Sequence, residues 1–264
     1  MQPTTGQMIA EKADGIGWMT FSNLERHNAI NLAMRQAIPE ILGDFAADPD
    51  VRVVVMKGAG DRAFVSGADI SEFEAQRSNA ENSEEYARLG QRSANSYKEL
   101  GKPLIAMIRG YCLGGGLVVA MKADLRIAAE GSQFGIPAVR LGVGYAYQSV
   151  KEMVDLIGPG HTRRLLITGE RVDAQTALSM GLVSQVVPAD ELEGAVRKVA
   201  ATIAGNAPLT IRAIRAAVDE SLKGEHERDV DMVNRLVTEC AASQDYAEGR
   251  RAFMEKRRPV FTGR

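Results

Sequence analysis

A chain of 264 residues, 45% hydrophobic and 25% charged, has the composition of one sizeable globular core plus an appendage. Its formal net charge of -2 argues against nucleic acid or an anionic membrane surface as a partner. The two cysteines, Cys112 and Cys240, stand in no metal or redox spacing and read as small buried hydrophobes in a reducing compartment. No apolar run approaches ~18 residues and the first residues lack the build of a signal peptide, so the cytoplasm is the expected location.

Met8 to Lys12 and Ile16 to Phe21 flank Asp14-Gly15, a pair that tolerates the positive φ of a tight turn, and a hairpin is predicted. Asn31 is placed to cap a helix whose Ile38, Ile41, Leu42 and Phe45 share a face, with Pro39 expected to kink it or end an early turn. Val51 to Met56 reads as a strand buried on both faces. Gly58, Gly60 and Ala63 then spell G-x-G-x-x-A. Phe64-Val65-Ser66-Gly67 follows in place of a helical period, which sets a dinucleotide site aside. Ser83 to Leu100 is predicted to be a polar-faced helix.

Residues 102–124 hold the densest signal. Pro103 opens the apolar run Leu104 to Ile108, a short buried strand; Gly114, Gly115 and Gly116 follow, and Leu117 to Ala123 reads as a buried helix. A strand feeding glycines feeding a helix exposes bare backbone N–H groups that can hold an oxyanion, or else simply makes a tight turn with close packing. Leu125 to Ala129 is another strand, and Phe134 to Val143 a loop or strand on the ligand side. Val150, Met153, Val154 and Ile157 form a helical stripe ended by Gly158-Pro159. Helices over 161–168 and 174–180 and a last strand, Val183 to Val187, complete an alternation of strands and helices that argues for a right-handed ββα spiral. From Asp190 onward only helices are predicted, near 190–204, 208–222, 226–242 and 245–257. Their stripes, among them Ile211, Ile214, Val218 and Leu222, need a surface to bury against. The division expected is a core over 1–204 and a helical region over 205–264.

Ser66-Gly67-Ala68-Asp69-Ile70, followed by Gly110-Tyr111-Cys112-Leu113-Gly114-Gly115-Gly116, resembles the crotonase (enoyl-CoA hydratase/isomerase) superfamily. Arg26 to Asn31, Gln133-Phe134-Gly135, Thr168 to Arg171, Gly181-Leu182-Val183 and Phe253 to Arg257 extend the resemblance over nearly the whole chain. It implies an α/β fold with a crotonase-like spiral core and a C-terminal all-helical oligomerisation region, assembled as a homotrimer or a hexamer of two trimers. The implied substrate is an acyl-CoA thioester, with coenzyme A entering only as part of it, no tightly bound cofactor and no metal. The thioester oxygen would sit between the N–H groups of Ala68 and Gly115. Arg26, Asn28, Ser66, Ala68, Asp69 and Ile70 would line the CoA, and Phe253 and Lys256 would reach the CoA of a neighbouring subunit.

The chain departs from the family's hydratases, which use two glutamates to position and activate water. Val118 stands at the first of these positions, two residues after the triple glycine, and Ala138, after Pro137, at the second. Neither valine nor alanine can move a proton. What remains near the expected acyl pocket is Tyr145 and Tyr147, with Ser149 and Lys151 beyond. Leu141-Gly142-Val143 with a tyrosine two residues on is similar to methylmalonyl-CoA decarboxylases of this superfamily, although those have histidine where Ala68 stands and keep the first glutamate. Loss of CO2 yields an enolate with no proton abstracted, which suits a site without a general base. A tyrosine with an ordinary pKa near ~10 donates and rarely abstracts at neutral pH, and Lys151 would lower that of Tyr147 if both share a helix face. The expected activity is therefore a decarboxylase or isomerase. The alternatives are a hydratase with a substitute acid such as Glu84 or Glu85, or a CoA-binding protein without turnover. His27, His161 and His226 join no nucleophile or metal pattern.

Overall fold

The computed structural model describes residues 7–69 and 80–264. The predicted hairpin is present: β1 (Gln7–Ala13) pairs antiparallel with β2 (Ile16–Ser22) across Asp14 and Gly15, whose φ values of 54° and 76° are the two positive angles that such a turn needs. Asn31 caps α1 (Leu32–Ala47), its side chain accepting the Met34 N–H at 2.8 Å. α1 continues without a break through Pro39, so the proline ends no early turn. Met34, Ile38, Leu42 and Phe45 all bury on its inner face, and that packing outweighs the one backbone bond proline removes.

After α1 the chain alternates between two sheets. β3 (Val53–Gly58), β5 (Leu104–Ile108), β7 (Leu125–Ala129) and β10 (Gln185–Val187) join the hairpin in a six-stranded sheet ordered β1-β2-β3-β5-β7-β10. β4 (Ala63–Val65), β6 (Tyr111–Leu113), β8 (Gln133–Gly135) and β9 (Val172–Asp173) form a second, four-stranded sheet. Each turn of the spiral thus gives one strand to each sheet, and the pairs β3·β5, β5·β7, β4·β6 and β6·β8 are all parallel. This is the predicted spiral core. Along β3 the pleat sorts side chains by period two: Val54 and Met56 enter the main core with Phe21, Phe45, Phe64 and Phe134. Val53 and Val55 turn to the other face, where Trp18, Ile105 and Ile127 meet Leu192, Val196 and Ala200 of α6 (Leu192–Ala204).

The helices between strands are α2 (Ala80–Glu99), α3 (Gly115–Ala120), α4 (Tyr147–Thr168) and α5 (Ala174–Ser179). α4 is broken at Gly158, whose φ of 74° and ψ of 166° are not helical, where the sequence predicted a stop. A 3-10 turn, Pro137–Leu141, replaces the predicted loop or strand after β8. After α6 come α7 (Pro208–Ser221), α8 (Val230–Ala242) and α9 (Gln244–Met254), with no strand among them. No residue of α8 is buried. Ile214, Val218, Leu222, Val230 and Val237 stand 48–59% exposed. Among the described residues no helix is long and apolar enough to cross a membrane. Cys112 is buried as expected, whereas Cys240, on the open face of α8, is only half-buried.

Candidate active site

Two loops meet where the sheets feed α3. The first follows β4. Ile30 donates to the Gly67 carbonyl at 2.8 Å and accepts from the Asp69 N–H at 3.0 Å, a single parallel bridge across Ala68. In that pattern the bonded groups belong to the neighbours of Ala68, and its own N–H lies on the opposite edge of the strand. The second loop is Gly114 to Gly116. Gly114 adopts φ 53°, ψ -122°, which a side chain would forbid, and turns β6 sharply into α3. Gly116 seats the helix on β4: a Cβ there would lie 2.0 Å from the Val65 carbonyl oxygen. This close approach brings Gly115 against Ala68, a Cβ on Gly115 being 3.6 Å from the Ala68 nitrogen. Among the described residues no carbonyl accepts from either N–H. Both residues line one cleft.

The cleft has a volume of about 380 Å³, in the range of small-molecule sites. Ala68 and Gly115 line it, with Val118 and Val119 of α3 and Tyr145 in the loop before α4. No aspartate or glutamate lines it among the described residues. Ala138, which the sequence reading set at the second glutamate position, sits in the 3-10 turn, packs against the core and is absent from the cleft lining. Glu84 is exposed on α2, away from the lining, and the Glu85 side chain and Ile70 lie outside what the structure describes. Burial pushes the Tyr145 phenol up to about 12, so it stays protonated at neutral pH. Tyr147 is a correction to the sequence reading: it opens α4 on the surface, 79% exposed, and takes no part in the lining. Lys151, one turn further on, is paired with Asp155 at 2.5 Å and donates to the Leu222 carbonyl at 3.1 Å.

Ser66 ties together the two loops from which CoA contacts were expected, its hydroxyl donating to the Arg26 carbonyl at 3.0 Å and its N–H to that of His27 at 3.1 Å. Arg26 itself is exposed, and Asp69 is half-buried beside Ala68. Asn28 departs from the role expected of it. Its amide donates to the Ala59 and Ala63 carbonyls at 2.9 and 2.7 Å, and its oxygen accepts from the Asn23 N–H at 3.0 Å. At 1% exposure it is a strut of the loop and leaves no N–H for a ligand. Phe253 is exposed at the end of α9, and Lys256 follows it with a φ of 52°, the left-handed residue of a helix stop in which Arg257 donates to Ala252. Among the described residues no group of His, Cys, Asp and Glu is arranged to hold a metal.

Sequence reasoning missed the far wall of the cleft. Arg35 of α1, Tyr97 of α2 and Lys122 all line it, and Lys122 is ion-paired with Glu152 at 2.6 Å. The available signal was Gly90, Ser93, Ala94 and Tyr97, which share one helical face across the polar helix α2.

The enoyl-CoA hydratase/isomerase family matches residues 11–264. Over 254 residues the chain is 34% identical to a crotonyl-CoA hydratase of Syntrophomonas wolfei, covering 96% of this chain and 97% of that one. It is 30% identical over 251 residues to a short-chain-enoyl-CoA hydratase of Clostridium acetobutylicum, 95% of each chain being covered. The crystal structure of an enoyl-CoA hydratase from Bacillus anthracis superimposes with a TM-score of 0.91 at 29% identity, covering 98% of this chain and all of that one.

Proposed function

The chain belongs to the enoyl-CoA hydratase/isomerase family, and from that premise we propose that it converts an acyl-CoA thioester by decarboxylation, through an enolate held at the N–H groups of Ala68 and Gly115. The observation that carries the reading is the cleft wall: Val118 and Tyr145 line it, and no carboxylate does among the described residues. Hydration needs a group that takes a proton from water and one that gives a proton to carbon. Decarboxylation needs neither at the bond-breaking step. In a thioester bearing a carboxylate on its α-carbon, the carbon–carbon bond to that carboxylate breaks, CO2 departs, and the electron pair becomes the enolate. The enolate oxygen gains its charge between the two aimed N–H groups, where such donors are worth about 10²–10³ each in rate. Tyr145 then delivers its proton to the α-carbon and is reprotonated from water. The raised phenol pKa keeps the proton in place until the enolate forms. Coenzyme A is part of the substrate throughout.

Release of CO2 from malonyl-CoA and methylmalonyl-CoA tests this. The expected result is CO2 release with formation of the shortened acyl-CoA, and a Tyr145→Phe variant slower by about 10²-fold with thioester affinity nearly unchanged. Failure to release CO2 from either thioester, or a Tyr145→Phe variant as fast as the parent, overturns the assignment. A second reading, hydration of an enoyl-CoA, is favoured by the hydratases at 30–34% identity. It requires an acid that the described cleft wall does not supply.

A further inference from the structure

The α2 wall of the cleft carries two hydroxyls that the protein itself does not use. Tyr97 lines the cleft and is 4% exposed, and its hydroxyl has no hydrogen-bond partner among the described residues. Buried hydroxyls are rarely left so, because the lost solvation is not returned. Burial pushes the phenol pKa up, so the proton stays on the oxygen at neutral pH. Ser93 stands one turn earlier on the same face of α2, lines the same cleft and is 7% exposed. A helical serine or threonine commonly bonds back to a carbonyl of the preceding turn, as Thr162 does to Gly158 at 2.8 Å and Thr168 to Arg164 at 2.7 Å. The Ser93 carbonyl accepts from the Ser96 hydroxyl, but the Ser93 hydroxyl makes no hydrogen bond among the described residues. The cations of the lining stand differently. Lys122 is paired with Glu152 at 2.6 Å, and Arg35 is engaged as well. What this wall offers a ligand is hydroxyl rather than unpaired charge.

We propose that the acyl group of the substrate ends in a neutral oxygen, a hydroxyl or a carbonyl, and that Ser93 and Tyr97 receive it. The ligand class is the CoA thioester of a short acid oxygenated at the end remote from the thioester. The proposal rests on the reading of Ala68 and Gly115 as the thioester site, and the acyl chain then runs from that pair to α2. Each hydroxyl can both donate and accept, so an alcohol or a carbonyl oxygen finds a complementary partner in either. A neutral group also enters the cleft without the desolvation that a carboxylate would cost. The oxygen held at α2 orients the chain and takes no part in bond breaking. Ser93 and Tyr97 are therefore specificity-determining residues, distinct from the group that handles any carboxylate lost from the α-carbon.

Titration calorimetry with butyryl-CoA, 4-hydroxybutyryl-CoA and succinyl-CoA, which share a chain length and differ only at its end, tests the proposal. The expected result on the unmodified protein is 4-hydroxybutyryl-CoA binding about threefold to tenfold tighter than butyryl-CoA, with succinyl-CoA weaker than the alcohol. In Tyr97→Phe the preference for the alcohol shrinks, and in Tyr97→Phe with Ser93→Ala it disappears. The melting temperature of Tyr97→Phe does not fall, since only an unpartnered hydroxyl is removed. Equal affinity for butyryl-CoA and 4-hydroxybutyryl-CoA, a preference untouched in the double variant, or tighter binding of succinyl-CoA overturns the proposal while leaving the thioester site standing. A melting temperature lowered by several degrees in Tyr97→Phe also overturns it, because the hydroxyl would then have a partner inside the protein. Absence of binding to any acyl-CoA overturns the thioester reading, and the proposal with it.

Discussion

Replacing Gly116 by alanine tests how the fold aims its donors. The added Cβ would lie 2.0 Å from the Val65 carbonyl oxygen, 2.7 Å from its carbon and 2.8 Å from its Cβ. The obstacle is chiefly strand backbone, which cannot swing aside as a side-chain end would. Unstrained contact begins near 3.4 Å, so α3 and β4 must part by about 1.4 Å. Gly115 is the adjacent residue and moves with the helix, carrying its N–H off the point that it shares with Ala68. Overpacking of this kind costs about 1–3 kcal/mol of stability. A donor displaced by ~1 Å costs about 10²-fold in rate. The control is Gly43→Ala on α1, where a Cβ meets nothing within 4 Å and helix propensity alone favours the change by up to ~1 kcal/mol. Melting temperature and CO2 release from methylmalonyl-CoA are the readouts: Gly116→Ala falls in both, Gly43→Ala in neither. A Gly116→Ala protein with parental turnover would refute the claim that this contact positions the Gly115 donor.

Asn28→Ala removes three hydrogen bonds, two of them buried, and takes their partner from the Asn23 N–H and two carbonyls; a loss of about 3 kcal/mol is expected in urea unfolding, and a loss under ~1 would contradict the strut role. Tyr145 and Tyr97 both have phenol pKa values raised by burial above the ordinary value, so above pH ~10 the unfolded chain loses protons that the folded one keeps. Stability from this source is intact below pH ~10 and declines as pH rises toward the folded values, a slope that Tyr145→Phe should flatten in urea midpoints taken between pH 9 and 11.5. The exposed apolar face of α7 and α8 is expected to be covered by other copies of the chain, giving trimers or hexamers in sedimentation velocity at micromolar protein. Val218→Asp with Val237→Asp should break them, and a parent protein that sediments as a stable monomer would end this reading.

What the sequence discloses is what depends on neighbours in the chain. The Asp14-Gly15 turn, the Asn31 cap and the Gly114–Gly116 passage are short-range demands on backbone angles, and each stands where the residues placed it. Val118 was legible for the same reason, lying one turn into the helix that the glycines open. Tyr145 and Tyr147 were not separable: they stand two residues apart, and the start of α4 sends one into the cleft and the other to the surface. Arg35 and Tyr97 belong to helices far apart in sequence that meet only through the packing of α1 on α2, so no local pattern joins them. The helix carries on through Pro39 because the residues before and after it bury together on one face, a tertiary gain that local propensity does not contain.

The central claim is that a cleft walled by Val118 and Tyr145, with the N–H groups of Ala68 and Gly115 at one end and no acid among the described residues, makes enolates without working on water. Hydration of crotonyl-CoA by the unmodified protein, followed by loss of enoyl absorbance, tests it most directly. If Val118 and Ala138 replace both general acid–base groups, at about 10²–10⁴ each, the rate should lie several orders of magnitude below that of a working hydratase. Hydration at the rate of an ordinary enoyl-CoA hydratase would contradict the account and place an acid in the cleft.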